Sequence, residues 1–132
     1  MNKIEDILRK MKIKALDGAY TIVSLPPGTQ AKGKIFALIN GEDETTIMAE
    51  ESEWKKISGK FKDFREEKDF RIVLLDINLG WDTIGFLSTI TSALASENIS
   101  VGAFSAYSKD YLMIKNKDFD KAKKVLEKLK NQ

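Results

Sequence analysis

The sequence predicts an α+β protein of antiparallel sheets with helices on one face, and three observations carry that reading. Residues 70–77, FRIVLLDI, are nearly all apolar or β-branched (Phe70, Ile72, Val73, Leu74, Leu75, Ile77), as a strand covered on both faces requires. From Asp82 the period changes, with Ile84, Leu87, Ile90 and Leu94 recurring at three- and four-residue spacing beside Phe86, Ala93 and Ala95, the stripe of an amphipathic helix. Two short strand candidates then follow, Ile99–Phe104 and Tyr107–Ile114, joined by a turn around Ser108, Lys109 and Asp110.

The remaining elements follow in chain order. Ile4, Ile7, Leu8 and Met11 mark an opening amphipathic helix over residues 3–14, ending before Asp17-Gly18, where glycine offers a stop. Tyr20–Leu25 reads as a strand closed by Pro26-Pro27-Gly28, and residues 28–34 as a polar loop. Lys34–Asn40 and Thr45–Ala49 form a hairpin about the turn Gly41–Glu44. An acidic connection through Glu50, Glu51 and Glu53 leads to Trp54; Ile57–Phe64 is expected to add a strand, and Arg65–Asp69 a charged turn. Asp82 or Thr83 caps the central helix, which stops near Asn98. The lysine-rich tail alternates with Phe119, Ala122, Val125, Leu126 and Leu129 at helical spacing, giving a solvated face opposite an apolar one.

Composition narrows the chemistry. With 132 residues, 42% of them apolar, the chain can bury a core as one domain or two very small ones. It has no cysteine and no histidine, which excludes disulfides, thiolate catalysis and cysteine-ligated metals, and removes the commonest general base and zinc ligand. No catalytic residue, metal ligand or cofactor site is expected. A net charge of +2 from 22 basic and 20 acidic residues provides no field to draw nucleic acid. No apolar run approaches the ~18 residues of a membrane span and the first residues are too charged for a secretory signal, so a cytoplasmic protein is expected.

Three motif-like strings are read as ordinary surface. Gly28–Lys34 has P-loop spacing, but Ile35 stands where a hydroxyl belongs and a strand follows where a helix should. The groups Glu42-Asp43-Glu44 and Glu50-Glu51-Glu53 lack the alternation and glycine of a calcium loop. Asn98-Ile99-Ser100 fits a glycosylation acceptor but sits at a strand start in a chain read as cytoplasmic.

The run INLGWDTIGFLSTITSALASENISVGAFSAYSKDYLMIK resembles the β-loop-α-β-β core of the ACT domain, a small ferredoxin-like module that senses amino acids in metabolic regulators. More narrowly, the chain is similar to stand-alone tandem ACT proteins related to the modules of the arginine sensor CASTOR. Residues 3–14, Tyr20–Leu25, Glu42–Met48, Trp54 and the hairpin stretch Ser105-Ala106-Tyr107-Ser108-Lys109-Asp110-Tyr111 carry that likeness. The resemblance implies two intertwined ferredoxin-like subdomains, residues 1–64 and 65–132. It also implies a non-catalytic regulatory module that binds an amino acid or similar small metabolite at an ACT–ACT junction, with a homo-oligomer or a regulated protein as partner. The alternative is an interaction scaffold without a ligand.

The expected ligand-binding residues are Leu79, Gly80, Trp81, Asp82, Thr83, Ile84, Gly85 and Asp110. Backbone N–H groups of the first helical turn after Gly80 are donors for a ligand carboxylate. Gly85, without a Cβ, permits close approach, and Trp81 is a candidate apolar lid. Asp110 is the first choice to accept from a ligand ammonium and Asp82 the second. A ferredoxin-like unit needs the pattern β-α-β-β-α-β, yet residues 65–132 supply only β-α-β-β-α. The closing strand must come from elsewhere, with Tyr20–Leu25 or another chain as the source.

Overall fold

The computed structural model describes residues 3–131. Its elements are α1 (Lys3–Lys10), β1 (Lys12–Ala15), β2 (Tyr20–Leu25), β3 (Ala37–Asn40), β4 (Thr45–Glu50), α2 (Glu51–Ile57), β5 (Arg65–Asp76), α3 (Phe86–Ser96), β6 (Gly102–Ser105), β7 (Asp110–Lys115) and α4 (Asn116–Lys130). The chain builds two compact units. The first takes the residues up to Asp17 and from Arg71 onward, and the second takes Gly18–Phe70, so the division falls inside β5.

In the first unit the strands lie in the order β6-β7-β5-β1. Counting from β5, this is second, third, first, fourth, the ferredoxin-like order, with α3 and α4 as the two helices. The closing strand is β1, antiparallel to β5 with Lys12 opposite Asp76 and Ala15 opposite Val73. It therefore comes from the amino-terminal segment, one of the two sources the missing strand leaves open, but from Lys12–Ala15 rather than Tyr20–Leu25. The expected helix over 3–14 is correspondingly shorter. It ends at Lys10, and Lys12-Ile13-Lys14 switches to strand alternation, sending Ile13 toward the core and the lysines toward water.

One core holds this unit together. Leu8 and Met11, Val73 and Leu75 of β5, Ile90 and Leu94 of α3, Leu112 and Ile114 of β7, and Ala122 and Leu126 of α4 are all buried in it. The apolar stripes of α1, α3 and α4 thus cover one face of the sheet. The end of α3 explains its length: Asn98 takes a left-handed conformation (φ 59°), the Asn98 N–H donates to the Ala95 carbonyl and the Ile99 N–H to the Leu94 carbonyl. These are the paired bonds of a Schellman stop, and Ile99 and Leu94 share the core as that motif favours. The strand after it begins at Gly102 rather than Ile99, because Ile99 is spent on this cap.

The second unit repeats the order as β3-β4-β2-β5, again second, third, first, fourth, with all three pairings antiparallel. Its first helix is absent; irregular chain joins β2 to β3. Val23, Leu25, Ile47, Ala49 and Trp54 form its core. Two expectations are corrected here. Ile57–Phe64 is not a strand: Trp54 lies in α2, whose first turn carries Glu51 and Glu53 at the favourable end of the helix dipole, and a short 3-10 turn follows at Ser58–Lys60. The Trp54 ring stacks on Phe61 at 5.6 Å and meets Phe64 edge-on at 5.2 Å, which consumes the apolar residues of the supposed strand. Arg65–Asp69 is not a turn but the first part of β5. Its charged residues are accommodated by β2, where the buried Thr21 hydroxyl donates to the Glu66 carboxylate (2.7 Å), and by α2, whose Glu51 carboxylate accepts from the Asp69 N–H (2.8 Å).

Candidate functional site

In the first unit, β5 ends at Asp76 and the chain crosses to α3 through residues 77–85. Two hydrogen bonds shape this loop. The Leu79 N–H donates to the Ser108 carbonyl at 2.9 Å, tying the loop to the β6–β7 hairpin, and the Thr83 N–H donates to the Gly80 carbonyl at 3.0 Å, making a turn. Gly85 then occupies the N-cap position with φ 90°, a conformation open to glycine and strained for other residues. Its carbonyl accepts from both the Thr89 N–H (3.0 Å) and the Thr89 hydroxyl (2.7 Å).

The helix therefore begins at Phe86, four residues later than its period predicts, and neither Asp82 nor Thr83 caps it. No side chain caps the helix at all. The N–H groups of the first turn have no acceptor within a helix, and Phe86, Leu87 and Ser88 line a cavity of about 230 Å³. That volume lies below the ~300–1,000 Å³ of drug-sized sites.

The opposite wall is the β6–β7 hairpin. Ser105 pairs with Asp110, the Ala106 N–H donates to the Lys109 carbonyl at 2.9 Å, and the Ser105 hydroxyl donates to Asp110 Oδ1 at 2.5 Å. Lys109 Nζ reaches across to Asp76 Oδ1 at 2.5 Å, while Lys14 Nζ holds Asp76 Oδ2 at 2.7 Å. The Lys109 hydrogen bond first, and Lys14 second, hold the Asp76 carboxyl at a pKa of about 2. Asp76 is thus a fixed anion joining β1, β5 and the hairpin.

Of the residues expected from sequence, Leu79, Gly80, Trp81, Thr83, Gly85 and Asp110 line this one cavity. Asp82 and Ile84 do not. Asp82 Oδ1 folds back over Gly80, where an added Cβ would meet it at 2.6 Å, and Ile84 is 87% exposed. Gly85 serves by its backbone angle rather than by sparing space, since a Cβ there would meet nothing nearer than Ile4 Cδ1 at 4.0 Å. Trp81 lines the cavity while remaining 77% exposed. Phe86, Leu87 and Ser88 also line the cavity and are not among the expected residues, because helical spacing places the start of α3 too early. Ser105 and Lys109 stand in the hairpin signature, but their contacts with Asp110 and Asp76 come from strand pairing and tertiary structure rather than from local sequence.

The second unit has a counterpart to this hairpin. Asn40 pairs with Thr45 where Ser105 pairs with Asp110, and the Gly41 N–H donates to the Glu44 carbonyl at 2.9 Å, the same closing bond as in β6–β7. There, however, the Thr45 hydroxyl is fully buried and accepts from the Gly28 N–H at 3.1 Å. The connection after β2 fills the position, and no helix N-terminus faces it. Among the described residues, no group of side chains is arranged to hold a metal ion, and no helix is long and apolar enough to cross a membrane.

Residues 65–128 match the family model described as the ACT domain. No match to the chain was found among curated proteins. Among solved structures, the chain is similar to a Vibrio cholerae protein of unknown function described as a possible transport protein (16% identity, TM-score 0.76, covering 96% of this chain and 95% of that one). It is also similar to an Agobacterium tumefaciens protein (20% identity, TM-score 0.73, covering 91% and 89%). A third is the regulatory subunit of aspartate kinase from Thermus thermophilus in its ligand-free form (8% identity, TM-score 0.67, covering 89% and 97%). The likeness over nearly the whole chain is one of fold, and within it the segment from Arg65 to Lys128, which carries the cavity, matches the ACT domain.

Proposed function

We propose that this protein is a regulatory, non-catalytic module that binds an amino acid or a similar small metabolite in the cavity between the β5–α3 loop and the β6–β7 hairpin. The observation that carries the reading is that the uncapped start of α3, Phe86–Ser88, and Asp110 line one and the same cavity of about 230 Å³. An α-amino acid carries a carboxylate and an ammonium a short distance apart. The helix start provides N–H donors and positive potential for the first, and Asp110, with one oxygen engaged by Ser105, has its other oxygen for the second. The match of residues 65–128 to the ACT domain and the fold shared with an aspartate kinase regulatory subunit support a regulatory role.

The mechanism we infer is a population shift. Ligand ties the loop to the hairpin and favours one arrangement of an ACT–ACT junction, which a second copy or a regulated partner then reads. Calorimetry of the folded protein against the twenty amino acids, with arginine first because of the likeness to CASTOR modules, tests the reading. Heat and saturation with one of them is the expected result; no heat with any removes it. A second reading, an interaction scaffold with an empty cavity, draws on the exposure of Trp81, Ile84 and Tyr107 (77, 87 and 86%). Partner capture that is indifferent to added amino acids would favour that reading.

A further inference from the structure

The charges around the cavity bear on which amino acids it accepts, an inference that rests on the function proposed above. Only two lining side chains are charged, Lys109 and Asp110. They are not equally available. Lys109 Nζ is bound to Asp76, whose side chain is only 16% exposed, while Asp110 keeps one carboxylate oxygen beyond its bond to Ser105. Lys14 holds the other oxygen of Asp76, but it is 55% exposed and its field is screened by water.

We infer that Asp76 is a specificity-determining residue: by withdrawing Lys109 it leaves no cation for a second ligand carboxylate, so the cavity takes neutral or basic amino acids and rejects acidic ones. A ligand's α-carboxylate is matched by the start of α3 and its ammonium by Asp110. A side-chain carboxylate would have to pull Lys109 from Asp76, or else stand beside Asp110 without a counter-charge. Either course opposes binding through like charge or a broken pair.

Isosteric pairs isolate this term, because glutamine and glutamate, or asparagine and aspartate, differ in charge and hardly in shape. Calorimetric titration of the full chain with all four amino acids is expected to give the amides about fivefold or greater preference, the scale of one partly exposed charge pair. In Asp76→Asn, Lys109 is released toward the cavity and the preference narrows or inverts; Asp76→Glu, which keeps the pair, retains it. Equal affinity of acid and amide in the unmodified protein would overturn the inference while leaving the amino-acid-binding function standing. An unchanged ratio in folded Asp76→Asn would also overturn it. Should that variant not fold, the unmodified protein and Asp76→Glu decide the question. If neither these four nor any other amino acid binds, the proposed function falls and this inference with it.

Discussion

Replacing Gly85 by alanine should destabilise the protein by about 1 kcal/mol. The residue holds φ 90° at the start of α3, in the region where an L side chain costs ~1–2 kcal/mol. The loss of glycine's freedom in the unfolded chain offsets ~0.4–1 kcal/mol of that. No steric term adds to the balance, because the new Cβ would sit 4.0 Å from Ile4 Cδ1, ordinary contact distance. Urea unfolding should therefore show a lower midpoint at an unchanged slope, and the melting temperature should fall by about 3–5 °C. Gly85→Asn should lose less, since asparagine tolerates the left-handed region. A Gly85→Ala protein more stable than the parent would mean the loop does not turn into α3 through a positive φ, and the site geometry built on that turn would be wrong. A loss above ~3 kcal/mol would mean the Cβ meets a wall the structure lacks.

Further perturbations probe the rest of the fold. Trp54→Ala should cost ~3–5 kcal/mol in equilibrium unfolding, since the ring is 3% exposed, stacks on Phe61 and meets Phe64 edge-on; a cost under ~1 kcal/mol would deny it a core role. Thr45→Val should cost about 1 kcal/mol by stranding the Gly28 N–H, a loss seen in urea melts and absent from Thr46→Val if the hydroxyl at position 45 is the acceptor. Asp76, with its folded pKa depressed to about 2 from 3.8, contributes stability that is fully present above pH 3.8 and lost as pH falls through 2. Urea midpoints measured from pH 5 to 2 should therefore decline less steeply in Asp76→Asn than in the parent, and parallel declines would show the ion pairs contribute nothing.

What was legible in the sequence follows the reach of periodicity. The run from Ile72 to Leu75 carries the pattern of a strand buried on both faces, and the strand is central in its unit. Counting strands also revealed that the carboxy-terminal half lacks one. It did not reveal which residues supply it, because Lys12-Ile13-Lys14 holds a single apolar residue, too short an alternation to mark a strand. The loop is not legible for a related reason: Ile84 falls on the helical stripe of Leu87 and Ile90, but Gly85 turns the chain and leaves Ile84 in water. Helical spacing cannot see a backbone angle. In the second unit, Trp54 and Phe61 are as apolar as strand residues, and only their stacking distinguishes α2 and its turn from a strand. The charged start of β5 is legible only through Thr21 and Glu51, residues distant in sequence that supply its hydrogen-bond partners. Tertiary pairing, rather than any local pattern, likewise joins Lys109 to Asp76 and Ser105 to Asp110.

One cavity, bounded by the start of α3 and the β6–β7 hairpin, is proposed to take an amino acid or a similar small metabolite. Mapping backbone amide shifts during titration with the amino acids tests it most directly. Saturable shifts are expected to be largest at Phe86, Leu87, Ser88 and Asp110, with one ligand per chain and Gly28 and Thr45 undisturbed because their counterpart site is filled. Shifts centred on the second unit, or none anywhere with any amino acid, would contradict it.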